Sequence, residues 1–315
     1  MRVAKKVLVT GGAGFIGSHL TEALVFRGDD VTVVDNLSTG RLENLAAVHD
    51  QIRFVEGDLS NPQVAKDSVQ ECEIVFHHAA IPSVQKSLDD PQVCHASGTT
   101  ATLNVLWAAS DAAVRRVIFA GSAAAYGRQT MLPHTETMLP DALSPYAATK
   151  VAGEYYLKAF TSGKGLDTVT LRYFNVFGPR QDPNSTYSGV IAIFVRRMMS
   201  GNRPILFGDG EQIRDFLYVD DVVQANLLAA DYSAQLNGAV FNVGSGRGTS
   251  IDELVSQINQ LLGTELEPIH QEARTGEVRN SVADITKIRL ILGYEPRVTL
   301  QEGLAKLIGS MAAGT

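Results

Sequence analysis

Val7-Leu8-Val9-Thr10-Gly11-Gly12-Ala13-Gly14-Phe15-Ile16-Gly17 is a short β-branched run that breaks into glycines and then opens an apolar helical pattern. A strand, a tight glycine turn and a helix in that order let a backbone approach a pyrophosphate closely, with the helix amides and the positive end of the helix meeting its charge. A glycine turn alone often serves only strand–helix packing. Here a second run, Val31-Thr32-Val33-Val34, ends on Asp35. A carboxylate at the end of the second strand accepts from adenosine ribose hydroxyls and repels a 2′-phosphate, so the pair predicts a dinucleotide site that takes NAD rather than NADP.

Outward from this unit the alternation continues. Ile52-Arg53-Phe54-Val55, Ile74-Val75-Phe76, Val117-Ile118-Phe119 and Val169-Thr170-Leu171 are further short apolar runs with helical stretches between them. The pattern predicts an α/β fold with a Rossmann-type, doubly wound parallel sheet buried on both faces. After about residue 176 the rhythm gives way to Gly178-Pro179-Arg180-Gln181-Asp182-Pro183-Asn184, the start of a smaller and less regular part suited to covering a ligand. Residues 1–175 are therefore expected to form an NAD-binding domain, with a return near 215–245 marked by Phe241-Asn242-Val243, and 176–315 mainly a substrate domain.

Composition narrows the class. The 315 residues are 45% hydrophobic, enough for a sizeable core, and 27 Lys and Arg against 34 Asp and Glu leave a formal charge of -7, which supplies no overall basic field for nucleic acid or an anionic membrane. Any anionic ligand must be held by local groups. No basic segment leads into a long apolar run, so neither a signal peptide nor a membrane span is expected, and a cytoplasmic location follows. Cys72 and Cys94, the two cysteines, form no CxxC pair and are expected to be reduced and structural. His77 and His78 have no metal-ligand spacing, so no metal is expected and core roles suit them better.

Tyr146-Ala147-Ala148-Thr149-Lys150 puts a phenol and an ammonium four residues apart, on one face of a helix expected to begin after Ser144-Pro145. A free tyrosine, with a pKa of about 10, is a poor base near neutrality, and a neighbouring cation favours its phenolate. The spacing by itself marks no more than a helix face. Ser122, just past Val117-Ile118-Phe119 at the carboxyl end of a strand, lies where open α/β sheets place ligands and is the candidate to bridge Tyr146 and substrate.

With these residues in hand, the chain resembles the extended short-chain dehydrogenase/reductase family over essentially its whole length. The resemblance is carried by the glycine loop, Asp35-Asn36-Leu37-Ser38-Thr39-Gly40, Asp58-Leu59, Ser122, Tyr146/Lys150 and Arg172-Tyr173-Phe174-Asn175. Within that family it is most similar to UDP-hexose 4-epimerases, and among these to the UDP-N-acetylglucosamine branch. The resemblance implies that Ser122, Tyr146 and Lys150 are catalytic and that NAD stays tightly bound. It adds Gly11, Gly14, Phe15, Ile16, Gly17, Asn36, Ser38, Thr39, Gly40, Asp58, Leu59, His78, Ala79, Ala80, Tyr173 and Phe174 to Asp35, Tyr146 and Lys150 around the cofactor. Around a UDP-sugar it implies Ser83, Ser122, Tyr146, Asn175, Val190, Phe207, Arg214, Arg274, Glu277 and Ser281, and two guanidinium groups suit a diphosphate. It further implies a homodimer joined by helices around residues 95–112 and 145–162. Ser281 matches a position bordering the sugar, where 4-epimerases restricted to unacetylated sugars carry a bulky Tyr; Ser83 is also like the acetyl-accepting branch. The chain departs from many relatives at Ala123-Ala124-Ala125, where another hydroxyl is common, and at Ser97, where Asn is common.

The expected reaction removes the proton of the 4-hydroxyl to Tyr146, passes through a 4-keto sugar that turns over while its nucleotide stays anchored, and consumes no NAD. A nucleotide-sugar 4,6-dehydratase begins with the same oxidation but carries an Asp-Glu pair after the catalytic hydroxyl residue, where this chain has Ala123-Ala124. A non-catalytic NAD-sensing protein would have no use for Ser122, Tyr146 and Lys150 together.

Overall fold

The computed structural model describes residues 3–182, 189–273 and 278–313. In its first half β1 (Lys6–Thr10), β2 (Asp30–Asp35), β3 (Ile52–Glu56), β4 (Ile74–His77), β5 (Arg116–Ser122) and β6 (Asp167–Tyr173) coincide with the six apolar runs. Between them lie α1 (Phe15–Phe26), α2 (Pro62–Ser68), α3 (Val84–Asp89), α4 (Pro91–His95), α5 (Ala101–Asp111) and α6 (Pro145–Lys164). The later strands are shorter: β7 (Asn175–Phe177), β8 (Ile205–Phe207), β9 (Ile213–Arg214), β10 (Phe216–Tyr218), β11 (Ala239–Val243), β12 (Thr249–Ser250), β13 (Ile269–Gln271) and β14 (Asn280–Ser281). The later helices are α7 (Val190–Met199), α8 (Val219–Asp231), α9 (Ile251–Leu262), α10 (Thr286–Leu292) and α11 (Leu300–Ala313).

Seven strands form one sheet in the order β11-β6-β5-β4-β1-β2-β3, and every pairing is parallel. Alternation along β1 explains why both faces are covered. Val7 and Val9 pack with Leu20 and Leu24 of α1, whereas Leu8 points the other way into a cluster with Ala101 and Leu106 of α5 and Leu157 of α6. The strand order reverses between β1 and β4, so a crevice opens past Thr10 and His77, where such sheets take ligands. The run at Phe241-Asn242-Val243 is part of β11, which pairs with β6 from Ala239↔Val169 to Val243↔Tyr173.

The remaining strands make three small sheets, β10-β7, β12-β9-β14 and β13-β8, over a separate core that includes Phe177, Phe194, Leu254, Ile258 and Leu304. Local signals set the helix ends. The Ser144 hydroxyl oxygen accepts from Ala147 N with Pro145 in the first turn, and α6 stops at Gly165, a left-handed residue at φ 72°. Ser250 and Glu253 close a capping box at the start of α9.

One buried ion pair braces α6 against the sheet. Arg172 in β6 donates from Nε to Glu154 Oε1 (2.8 Å) and from Nη2 to Oε2 (2.6 Å), and its guanidinium lies 4.8 Å from the Tyr126 ring centroid. Arg172→Met should leave the Glu154 carboxylate buried without its cation and lower the unfolding free energy by about 3–5 kcal/mol. The check is a lower urea midpoint with unchanged m. Adding Glu154→Leu should recover most of the loss, because the stranded charge is then gone.

Candidate active site

The glycine loop lies across the switch point. Gly11 has φ +67°, its N–H donates to Val34 O (2.7 Å), and a Cβ on it would come 2.8 Å from Ala79 N. A Cβ on Gly17 would collide with Gly11 O, so neither position tolerates a side chain. α1 opens at Gly14 without a side-chain cap and without an acidic residue in its first turn. A twelve-residue helix entered through a glycine turn and left without a side-chain cap fits a dinucleotide pyrophosphate.

Asp35 ends β2 with Oδ2 accepting from Ala13 N (3.0 Å) and Oδ1 from Leu37 N (2.8 Å). Burial pushes its carboxyl up while those two bonds draw it back. Each oxygen keeps a further lone pair, so the carboxylate still has acceptors for ribose hydroxyls. Asn36, Ser38 and Thr39 are exposed beyond it and Gly40 is buried. Asn36 Oδ1 accepts from Ser38 N (3.1 Å), and its Nδ2 reaches Asp58 Oδ2 (3.4 Å). Against the effect of burial, bonds from Ser60 and Asn36 hold the Asp58 carboxyl below its ordinary value. Leu59, buried next to it, accepts at its carbonyl from Asn104 Nδ2 (3.0 Å).

At the end of β4 a chain of bonds reveals a role for His77 that its sequence context does not. Thr10 Oγ1 accepts from His78 N and Ala79 N, both at 3.1 Å, so its own proton goes to His77 Nδ1 at 2.8 Å. The other ring nitrogen then carries the proton and donates to Thr102 Oγ1 (3.0 Å), which donates to Gly98 O (2.5 Å). Burial, with Lys150 next, lowers His77 to about 3, and the ring stays neutral. It ties the glycine-loop strand to the π-helical turn Ala96–Thr100. His78, also lowered to about 3 by burial first, stacks on Tyr173, and its Nε2 lies 3.0 Å from the Tyr173 hydroxyl. Ala80, half-buried, follows Ala79 toward Ser83, while Phe174 N donates to Val243 O (3.0 Å).

Ser122, Tyr146 and Lys150 converge at the carboxyl end of β5. Ser122 Oγ accepts from Ala124 N (3.2 Å) and lies near the Tyr146 phenol. Lys150 Nζ donates to Ala120 O (2.7 Å) and sits 4.9 Å from the Phe119 ring centroid and 5.9 Å from that of Tyr146. Burial lowers Lys150 to about 8, opposed by Cys94 and Glu154. Burial raises Tyr146, and Ser122 draws it down; Lys150 is not among the groups that move it. The chain's own groups therefore leave the phenol protonated near neutrality, so that the phenolate expected beside Lys150 also calls on the nicotinamide charge. Ser97 Oγ donates to Val93 O (2.9 Å) and Cys94 O (3.4 Å), turned back into its own helix.

On the facing side, Asn175 begins β7, Val190 begins α7, and Phe207 ends β8. Arg214 in β9 and Ser281 in β14 are register partners, and Ser281 is only 8% exposed. Arg214 Nη1 donates to Ile213 O (3.0 Å) and Arg279 O (2.8 Å). Ser83 has a local structural use, since its hydroxyl oxygen caps α3 by accepting from Lys86 N (3.0 Å). Arg274 and Glu277 lie outside the described residues. Among the described residues no group of three or more His, Cys, Asp or Glu could hold a metal ion, and no helix is long and apolar enough to cross a membrane.

The NAD dependent epimerase/dehydratase family model matches residues 7–244. A UDP-glucose 4-epimerase of Mycolicibacterium smegmatis is 39% identical over 307 residues, covering 96% of this chain and 97% of that protein. The crystal structure of the Thermotoga maritima UDP-glucose 4-epimerase with UDP-glucose shares 40% identity at a TM-score of 0.93, covering 98% and 99% of the two chains. The UDP-N-acetylglucosamine 4-epimerase of Methanobrevibacter ruminantium, in complex with UDP-N-acetylmuramic acid, shares 36% at 0.95 over the full length of both. The chain belongs to the NAD-dependent epimerase/dehydratase family. Within it, this is an isomerase of the 4-epimerase type with NAD as its cofactor.

Protein purified without added nucleotide and then denatured should release NAD and not NADP, because a carboxylate at the end of the second strand should repel a 2′-phosphate. Predominant NADP in that extract, identified by mass, would contradict the role given to Asp35.

Proposed function

We propose that the protein interconverts the C4 epimers of UDP-linked hexoses, with UDP-N-acetylglucosamine and UDP-N-acetylgalactosamine among its substrates and UDP-glucose and UDP-galactose alongside them. The observation that carries the reading is the convergence of Ser122, at the carboxyl end of β5, with Tyr146 and with Lys150, whose Nζ lies 5.9 Å from the Tyr146 ring centroid. Residues 1–175, with the return near 215–245, hold the dinucleotide in this reading, and 176–315 mainly hold the UDP-sugar.

NAD, when bound, supplies the reversible oxidation at C4. The chain supplies proton handling and freedom for the sugar to turn through its 4-keto form. Tyr146 takes the proton of the 4-hydroxyl, and Ser122, near the phenol, orients or relays it. Lys150, held by Ala120 O with two donors to spare, steadies together with the nicotinamide charge the phenolate that this step requires. A dehydratase step is disfavoured, since Ala123 and Ala124, in the turn after Ser122, offer no acid or base. Arg214, Arg274, Glu277 and Asn175 suit the UDP moiety, with Val190 and Phe207 as apolar walls. Trp107 on α5 and Tyr155 on α6 are 63% and 61% exposed, which suits burial of these helix faces against a second copy in a homodimer.

N-acetyl acceptance rests on Ser281. A buried serine paired with Arg214 is a small side chain where a tyrosine would fill space needed by an acetamido group. Two substitutions test the reading, with C4 epimers resolved by NMR from each UDP-hexose supplied separately. Tyr146→Phe should lower kcat by about 10²–10⁴-fold with KM little changed, and Ser122→Ala less. Near-normal turnover by Tyr146→Phe would remove the mechanism. Ser281→Tyr should cut kcat/KM for the N-acetylated pair by at least about tenfold while sparing the unacetylated pair. An unchanged ratio in that variant would show that Ser281 does not gate the pocket.

A further inference from the structure

The turn Arg214-Asp215-Phe216 holds a carboxylate that the chemistry above does not use. Asp215 is fully buried and sits between β9 and β10, so it joins two of the small sheets. Its Oδ1 accepts from Ser245 N (2.7 Å) and Ser245 Oγ (2.6 Å), and its Oδ2 from Gly246 N (3.0 Å) and Ala283 N (3.1 Å). Four donors on two oxygens are the full complement of an ionised carboxylate. Burial pushes the Asp215 carboxyl up, and these same bonds hold it down.

Its backbone is equally committed. Asp215 O accepts from Asn175 N (3.0 Å) and Asn175 Nδ2 (3.2 Å), and Asp215 N donates to Ser281 O (2.9 Å). Arg214 precedes it in the chain, and Ala283, bonded to its side chain, lies two residues beyond Ser281. Three residues read above as meeting the UDP-sugar, Asn175, Arg214 and Ser281, are thus each one bond from Asp215. None of these bonds reaches the glycine loop, Asp35 or His78. A charge buried only to fill space would be replaceable by an apolar side chain at little cost, whereas a fully satisfied one dictates a single arrangement of its donors.

We infer that Asp215 is a positioning residue that sets the geometry of the nucleotide-sugar side of the site without touching the dinucleotide side; the inference rests on the nucleotide-sugar reading above. Asp215→Asn tests it, because an amide nitrogen must turn toward donors that now have no acceptor. The folded variant should retain NAD at the wild-type stoichiometry. Its affinity for UDP, titrated calorimetrically, should fall about ten- to a hundredfold, and KM for the UDP-sugar should rise more than kcat falls. Ser245→Ala, which removes one donor and keeps the Ser245 N–H, should fold and shift UDP affinity the same way by a smaller factor. Wild-type UDP affinity and KM in Asp215→Asn overturn the inference, as does loss of NAD in step with loss of UDP. If Asp215→Asn yields no folded protein, Ser245→Ala decides, and unchanged UDP affinity in it overturns the inference. A wild-type protein that binds no UDP refutes the nucleotide-sugar reading itself, and the inference with it.

Discussion

Where β1 and β4 run side by side, the backbone of Gly11 comes so close to Ala79 that no side chain fits between them. That approach lies just before the uncapped start of α1, at the point where the strand order reverses. The rest of the site is arranged around it. Thr10, one residue earlier, uses its hydroxyl to hold the backbone of His78 and Ala79 and to orient His77. His77 in turn holds Thr102, beside the π-helical turn that packs against α6. The loop that receives a pyrophosphate and the helix that carries Tyr146 and Lys150 are thereby connected through neutral, fully oriented hydrogen bonds, which do not rearrange with pH in the range where the ring remains uncharged.

Electrostatics in the chain alone are dominated by desolvation. Burial raises Tyr146 and lowers Lys150, the wrong direction for a phenolate–ammonium pair; Ser122 leans against it at the phenol and Cys94 and Glu154 at the amine. Such a site is poised rather than activated, since the same low-dielectric surroundings amplify any charge that enters. Glu154 shows how the fold manages this: two turns beyond Tyr146 on the same helix, it opposes the neutralisation of Lys150 while its own charge is met by Arg172.

The two sides of the crevice are built on different principles. The dinucleotide side is made from the ends of long parallel strands, whose register is set by pairings of four to seven residues. The facing side is made from strands of two or three residues that cannot set their own register. It relies instead on buried polar hubs. Asp215 is one; Asn242, in β11 of the large sheet, plays the same part there, its amide accepting from the Tyr126 hydroxyl (2.5 Å) and donating to His134 O (2.8 Å) and Asp284 O (3.2 Å), while its backbone N–H donates to Glu136 (2.8 Å).

The sequence by itself determined the parallel sheet, the glycine loop, the start of α6 at Ser144-Pro145 and the pairing of Tyr146 with Lys150. Each of these is a local pattern, a period of two, a cap or an i,i+4 spacing, and local patterns are written in neighbouring residues. Only the tertiary structure decided that Ser122 comes beside Tyr146, that burial raises the phenol and that Ser281 lies opposite Arg214. The roles of His77, Asp215 and Asn242 belong with these. Their partners are 25 to 116 residues away in the chain, and the worth of a hydrogen bond or a charge depends on the dielectric and donors brought around it by folding, which no run of adjacent residues encodes.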